Sequence, residues 1–570
     1  MSVETVPQRA DAIAAAALDG AKAWSLVSLS ERRELLEEFA ELVAQQASEW
    51  VRIATQIKGL TPNTPPVGEE WVSGPWATLN YARHLVESIA KLEQGTSPTE
   101  GFDVRPVPGG RMAIKVLPHT VWDHLLLSGF SAEVWCQPGA SAQEIRSTAG
   151  LGLREPGAVR GTCVVLGAGN ITSIAPLDAL YVLYADNRSV ALKLNPVTDS
   201  LLPVYEAIFK PFIDLGVVQV FTSDLELGAA VIAHPDIDAV HMTGSEATHD
   251  AIVWGPGAEG AANKAAGTPQ LRKPITSELG GVAPIIVVPG RWSKRDLEFQ
   301  ARHVATMKLH NAGANCVAGQ VLVVSSSWDQ KEEFLAAVRR ALSTAPSRPS
   351  WYPGTAGRIK AARVDAPSAE VVGGTAERTL LPALDPTADE PAYSTEYFGP
   401  VLGVTELPGT GSNFLYRAVD FSNDRLHGTL GANILVHPRE LRSMGADAFD
   451  RILEGLRYGT IAVNAWTGVG YLSPLASWGA FPGHTPDDIQ SGIGVVHNGL
   501  LLARAERTVI RGPFRPFPRS WATGDASLTP VPPWFVHNRT AATTGARLVS
   551  FSAAPGWSKL PRVFASALRG

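Results

Sequence analysis

Two side chains able to do covalent chemistry stand 38 positions apart in this 570-residue chain: Glu278, in Thr276-Ser-Glu-Leu-Gly-Gly281, and Cys316, in Asn311-Ala-Gly-Ala-Asn-Cys-Val-Ala-Gly-Gln320. The cysteine follows a helical stretch and sits among small residues, where a carbonyl carbon can approach closely. A thiolate there is a nucleophile for acyl chemistry. A free cysteine taken alone more often packs as a small hydrophobe, so the loop around it carries the argument. Glu278 ends an apolar, strand-like run, and the glycine pair after it permits close backbone approach. A carboxylate so placed either activates water as a general base or sits at an exposed strand end. The two motifs together favour the first reading of both residues.

Bulk properties narrow the classes. With 45% hydrophobic and 18% charged residues the chain is long and apolar enough to bury several cores, and two or three domains are expected. The net charge of -6 and the lack of any long Lys/Arg run exclude an electrostatic grip on nucleic acid. The three cysteines, Cys136, Cys163 and Cys316, form neither a disulfide framework nor a metal pattern and fit a reducing compartment. The apolar stretch 12–18 lies between Asp11 and Asp19 and is too short for a signal-peptide core. No run approaches the roughly 18 apolar residues of a membrane span, so a cytoplasmic location without membrane attachment is expected. His241, His249 and His310 show no i, i+4 pairing and no acidic partner in sequence, and no catalytic metal is predicted. Asn538-Arg-Thr540 matches a glycosylation sequon that has no meaning without export.

The elements that must position the pair follow from periodicity. From Ser28 to about Arg52, apolar residues recur at helical spacing, and Ser28 with Glu31 predicts a capping box. Residues 98–160 are rich in Gly and Pro, and the run 112–117 predicts strands or hairpins, assigned to a bridging element. After Gly161 the apolar runs 163–166, 190–194, 217–221 and 239–242 are spaced for crossover helices, which gives a parallel sheet. Such sheets bind nucleotides at the carboxyl ends of their strands, here marked by Gly167, Asn170, Lys193 and Gly244-Ser245. A full G-x-G-x-x-G is absent from Gly167-Ala-Gly-Asn170. The runs 284–288 and 321–324 imply a second α/β unit, with the chemistry between the two. From Arg511 the chain is rich in Pro and aromatics and reads as a wrapping extension. Its alternation of Arg511, Arg515 and Arg519 with Phe514, Phe517 and Trp521 predicts docking across a subunit interface, because the prolines preclude an amphipathic membrane helix.

Thr243-Gly-Ser245, Glu278-Leu-Gly-Gly, Cys316 in its Gly-rich loop and Glu396-Tyr-Phe-Gly-Pro400, in that order, resemble the signature blocks of the aldehyde dehydrogenase superfamily across roughly residues 10 to 500. The resemblance implies an α/β fold: a Rossmann-like NAD(P)-binding domain, an α/β catalytic domain and a bridging, oligomerisation hairpin. Its segments are 1–278 (N-terminal helices and cofactor domain, core about 160–278), 279–480 (catalytic) and 481–570 (return segment and extension). It implies NAD(P)-dependent oxidation of a small-molecule aldehyde to a carboxylate through a Cys316 thiohemiacetal and thioester. Asn170 and the Cys316 amide would stabilise the oxyanion and Glu278 would activate the hydrolytic water. On the NAD or NADP cofactor, Lys193 would reach the adenosine ribose, Gly244 and Ser245 the pyrophosphate, and Glu396 and Phe398 the nicotinamide side. A homodimer or homotetramer is implied as well.

Several positions depart from the family pattern. Pro196 replaces a glutamate frequent in NAD-preferring members, Val282 a lysine and Val321 an arginine. Residues 254–272 read as inserted, and Trp478-Gly-Ala-Phe-Pro-Gly-His484 is a loose version of a Pro-Phe-Gly-Gly block. Two alternatives stay open at this stage: a CoA-acylating or reductive relative, and a catalytically retired scaffold. Residues 71–81, the segment after Ile171, Trp466 and Tyr471 are placed along the substrate entry, whose tryptophans point to bulky or aromatic substrates.

Overall fold

The computed structural model describes residues 4–374, 377–525 and 527–570. Two sheets carry the architecture. The six-stranded one runs, in order, Gly492–Ile493, Ile275–Leu279, Ala239–Gly244, Thr162–Leu166, Ser189–Lys193 and Val218–Phe221. All neighbours are parallel except the edge strand Gly492–Ile493. Its strands match the apolar runs after Gly161 to within a residue or two, because a parallel sheet covered on both faces makes each strand continuously hydrophobic. From Thr162–Leu166 the chain builds outward to one side, then returns to add Ala239–Gly244 on the other. That reversal opens a crevice at the carboxyl ends of these two strands. Gly167–Asn170 and Gly244-Ser245 stand at those ends.

The helix Ile174–Tyr184 is buried all round. It is covered by Leu29–Ile57, opened by the Ser28/Glu31 capping box that the sequence predicts, and by Ala77–Glu93, while Val6–Ser25 packs with Leu225–Ala233 on the opposite face of the sheet. The segment that reads as inserted contains the helix Gly257–Ala266, stopped by Gly267 in the left-handed region, φ 64°.

The second sheet has eleven strands in the order Val104–Val107, Arg111–Leu117, Ser131–Cys136, Ala505–Arg511, Thr460–Val463, Gly431–Leu435, Ala283–Val287, Gly319–Ser325, Val401–Leu407, Thr379–Leu384 and Glu370–Val371. The first three are the expected hairpin element. Ser131–Cys136 pairs antiparallel with Ala505–Arg511, which pairs parallel with Thr460–Val463, so the hairpin continues the large sheet of its own chain. Buried charges fasten the join: Arg111 meets Glu506 at 2.9 Å and Glu454 at 2.8 Å, and Arg507 meets Glu506 at 2.7 Å.

In the extension the arginines are paired within the chain: Arg511 with Glu133 and Asp450, and Arg515 and Arg519 each at 2.7 Å from buried Asp296. Phe514 packs on Trp292, and Trp534 on Phe130. Beyond the prolines come two helices, Ala541–Ala553 and Leu560–Ala567. The first crosses the short helix Val67–Trp71 at a pair of glycines. A Cβ on Gly545 would lie 2.6 Å from Trp71 Cβ, and one on Gly68 would lie 2.7 Å from the Ala542 nitrogen. The substitution Gly68→Ala is therefore expected to cost about 1–3 kcal/mol of stability by overpacking and to expose residues 541–570 to limited proteolysis. An unchanged denaturation midpoint and cleavage pattern would contradict this view of the crossing.

Candidate active site

The Cys316 loop begins where the helix Lys294–Leu309 stops. Asn311, Ala312 and Gly313 all take left-handed backbone angles, with φ of 54°, 57° and 78°. For an L-residue such as Ala312 this conformation costs roughly 1–2 kcal/mol, so neighbours must impose it. The Asn311 backbone N–H donates to Glu69 Oε2 at 2.8 Å, and its side-chain amide donates to the Asn170 carbonyl at 3.0 Å and the Ala314 carbonyl at 2.9 Å. Glu69 is in turn paired with Arg348. At Gly313 a Cβ would collide with the Gly399 carbonyl, so this turn also needs a glycine for space. Asn315 closes the loop by donating to the His310 carbonyl at 3.0 Å.

Asn170 follows the strand Thr162–Leu166 and is buried. Its side-chain amide donates to the Ala314 carbonyl, 3.1 Å away, two residues before Cys316. Glu278, on Ile275–Leu279, lies opposite Gly492 of the edge strand and is 4% exposed. Its Oε1 has no hydrogen-bond partner among the described residues. Burial first, then the charge of Asp178, pushes its carboxyl up to about 8, against the pull of the Cys316 thiol and the Trp478 indole. Burial, followed by the Glu278 and Glu396 carboxylates, raises the Cys316 thiol well above its ordinary range. The resting site is thus a protonated thiol facing a carboxyl that releases its proton only in mild alkali.

Glu396 lies directly over Gly280, where any Cβ would collide with its carboxylate. Burial lifts its carboxyl to about 7, opposed by the Gly281 N–H and by Lys308. Phe398 holds a positive φ of 44° and packs edge-on against Tyr352 at 4.9 Å. Lys193 ends its strand with its stem across Gly228, where a Cβ would lie 2.6 Å from Lys193 Cε. Ser245 caps the helix Glu246–Val253 by accepting the Thr248 N–H at 3.2 Å, and Gly244 precedes it, exposed. Cys316, Glu278, Asn170 and Glu396 thus converge between the sheets, while Lys193 and Gly244-Ser245 mark the crevice of the six-stranded sheet.

Three groups escaped the sequence reading. Asp178 accepts the Thr243 hydroxyl at 2.7 Å and lies 3.4 Å from His241 Nε2 and 3.6 Å from His497 Nε2. Burial alone would raise its carboxyl, yet the two imidazoles hold it down at about 2. Glu69 supports the Cys316 loop by accepting the Asn311 N–H from 242 positions away. Lys308, inside the helix, is almost wholly buried, which brings its ammonium down to about 7 against the pull of Glu396. Nothing in the spacing of these residues marked them, because each partner lies on a different element. Among the described residues no cluster of His, Cys, Asp and Glu is built to hold a metal ion.

A sequence profile of the aldehyde dehydrogenase family matches residues 157–356, the stretch that carries Asn170, Glu278 and Cys316. The succinate-semialdehyde dehydrogenase [NADP(+)] of Deinococcus radiodurans is 29% identical over 283 residues, 45% of this chain and 52% of that protein. The betaine aldehyde dehydrogenase of Vibrio vulnificus is 29% identical over 184 residues, 32% of this chain and 34% of that protein. The match thus spans about half, or less, of these relatives' length. Among solved structures, the aldehyde dehydrogenase KauB from Pseudomonas aeruginosa superposes with a TM-score of 0.58 at 20% identity, covering 88% of this chain and 89% of that one. The gamma-glutamyl-gamma-aminobutyraldehyde dehydrogenase of Burkholderia cenocepacia superposes with a TM-score of 0.57 at 19% identity, covering 88% of each. Residues 157–356 are thus similar to the aldehyde dehydrogenase family, and the chain as a whole shares the fold of these solved aldehyde dehydrogenases.

Cys136 and Cys163 are buried, with thiols pushed up by burial, whereas Cys316 is partly exposed. Native alkylation with iodoacetamide, read by peptide mass spectrometry, is therefore expected to modify Cys316 alone, slowly at pH 7 and faster as the pH rises. Above about pH 8, where the Glu278 carboxyl ionises, Glu278→Gln removes the nearest negative charge and should accelerate the modification. Faster modification of Cys136 or Cys163 would refute the placement of the thiols.

Proposed function

We propose that this protein oxidises an aldehyde to a carboxylate with NAD or NADP as the electron acceptor. The observation that carries the reading is the meeting of Cys316 and Glu278, brought from two different sheets, with Asn170 bonded into the same loop.

The residues present fit a dinucleotide. Gly244-Ser245 leads into a helix whose first N–H groups suit a pyrophosphate. Lys193 reaches along the crevice over Gly228, and the buried, unpartnered Glu396 Oε1 stands beside Gly280 with Phe398 two residues on. In this reading Lys193 holds the ribose, Gly244 and Ser245 the pyrophosphate, and Glu396 and Phe398 the nicotinamide side. The bound nicotinamide supplies a two-electron acceptor.

Glu278 takes the Cys316 proton, and the thiolate attacks the aldehyde carbon. An amide carries two N–H donors, and Asn170 spends one on Ala314. The second, with the Cys316 backbone N–H, is assigned to the thiohemiacetal oxyanion. Loss of the hydrogen on the former aldehyde carbon together with two electrons, as a hydride to the acceptor, leaves a thioester on Cys316. Glu278 gives its first proton to solvent and then takes one from water, which attacks the thioester; the adduct expels the Cys316 thiolate and the acid, whose proton goes to solvent, and the proton on Glu278 restores the thiol.

The reading keeps 1–278 as the cofactor part, 279–480 as the catalytic part and 481–570 as the return segment and extension. Free cysteines support a reducing, cytoplasmic setting, and no described helix is long and apolar enough to cross a membrane. Assembly into a homodimer or homotetramer belongs to the proposal as well. It must use surfaces other than Arg111–Leu117, Ser131–Cys136 and Ala505–Arg511, whose ladders close within the chain.

Reduced-nicotinamide absorbance with short, long and aromatic aldehydes and each cofactor tests the assignment. Cys316→Ala should give no turnover. Glu278→Gln should give at most one equivalent of reduced cofactor per site, then a stalled thioester. Full turnover by Cys316→Ala sinks the mechanism. A second measurement is the pH profile. A base with a pKa of about 8 is protonated at neutral pH, so kcat/KM should climb through about pH 8. Asp178→Asn removes a charge that raises Glu278 and should move that limb to lower pH; a limb that stays in place would rule out this electrostatic coupling.

A further inference from the structure

A cavity of about 310 Å³ lies beside Tyr471, lined by four stretches of chain far apart in sequence, one of them the segment 469–475 that contains Tyr471 itself. The π-helical turn Val72–Trp76 gives Val72 and Trp76, the short helix Val121–Leu126 gives Trp122 and Leu126, and the C-terminal extension gives Trp534 and Phe551. At its inner end the cavity is separated from the Cys316–Glu278 pair by Tyr471, whose hydroxyl feels the charge of both groups. Tyr471 packs with Val72, Trp76 and Leu472, which line the cavity, and also belongs to the apolar cluster that holds Cys316. Its hydroxyl is fixed by Ser173 at 2.6 Å and its ring by Trp478 at 5.3 Å. It therefore stands as a fixed post between the cavity and the thiol.

We propose that the C-terminal extension is the outer wall of the acyl chamber, and that the aldehyde taken there carries an aromatic or similarly bulky apolar body. This rests on the function proposed above. The extension is built into the wall: the helix Ala541–Ala553 is locked to Val67–Trp71 at the Gly68/Gly545 crossing, and Arg83 on the rim donates to the Ala553 carbonyl. Phe551 stacks edge-on with Trp122 at 5.3 Å, joining two of the contributing stretches into one aromatic surface. The volume falls at the lower end of the range of about 300–1,000 Å³ typical of small-molecule pockets, enough for one ring and a short linker. Charged groups sit only on the rim and carry both signs, Arg83 against Glu87 and Asp123, so neither an anionic nor a cationic tail is selected.

The test fills the cavity from the extension side with Ser552→Trp, since Ser552 lines it away from the catalytic groups. Propanal and 3-phenylpropanal are compared as substrates. The expected result is a loss of 10-fold or more in kcat/KM for 3-phenylpropanal, with propanal within about 2-fold, the scale on which pocket occupancy discriminates substrates. An equal fall for both aldehydes, or none, overturns the proposal. A readout independent of turnover is quenching of tryptophan fluorescence by 3-phenylpropanoate, which wild type should bind and Ser552→Trp should not. Binding with no aldehyde turnover would keep the chamber and overturn the proposed function. Equal binding to both proteins would overturn the chamber whatever the turnover. If Ser552→Trp lowers the melting temperature, Leu126→Trp, which fills the same space from the Val121–Leu126 wall, is read by the same two criteria.

Discussion

Three successive left-handed residues before Cys316 are the constraint to which the rest of the site is fitted. A helix running straight on from Leu309 would carry the thiol past the crevice, whereas the turn at Asn311, Ala312 and Gly313 drops it between the sheets. Such a turn is held only where surroundings over-determine it. Glu69 comes from the N-terminal helices, Asn170 from the six-stranded sheet, and Gly399 from the Glu396-Tyr-Phe-Gly-Pro400 segment. Each body of the molecule thus contributes one restraint on the Cys316 thiol, and the loop records their relative positions.

The same convergence gathers carboxylates in one buried region, where two unpaired charges are costly. The structure meets this by separating their proton affinities. Asp178, flanked by two imidazoles, stays ionised, whereas Glu278 and Glu396 are lifted toward and above neutrality. One ionised group beside two that hold protons is a less costly arrangement than three charges, and it leaves Glu278 able both to accept a proton and to return it. The thiol is held protonated by the same fields, so its activation is tied to Glu278 and not to a neighbouring cation.

What was legible in the sequence is what a single segment carries. The strands of the six-stranded sheet showed as apolar runs, the Leu29–Ile57 helix as a capping box plus period, and Cys316, Glu278 and Asn170 through short blocks whose flanking glycines are needed by close contacts visible in the structure. What escaped was relational. His241 and His497 lie 256 positions apart and are joined only by Asp178. The pairing of the extension's arginines did not show because Asp296, the partner of Arg515 and Arg519, is more than 200 positions upstream. The helix Ala541–Ala553 was hidden behind the prolines before it.

The closure of the large sheet within one chain sets the order in which the molecule can be made. Ser131–Cys136 finds its outer partner only in Ala505–Arg511, with Cys136 opposite Ala505. During synthesis the hairpin has no completed ladder until Ala505–Arg511 has emerged, more than 350 residues later, and its edge stays open for that time, inviting pairing with other nascent chains. A contact of such sequence separation also forms late and slowly once the chain is free. The hairpin and Ala505–Arg511 are thereby made to fold as one cooperative event, so loss of that strand would be felt first at the hairpin, hundreds of residues away.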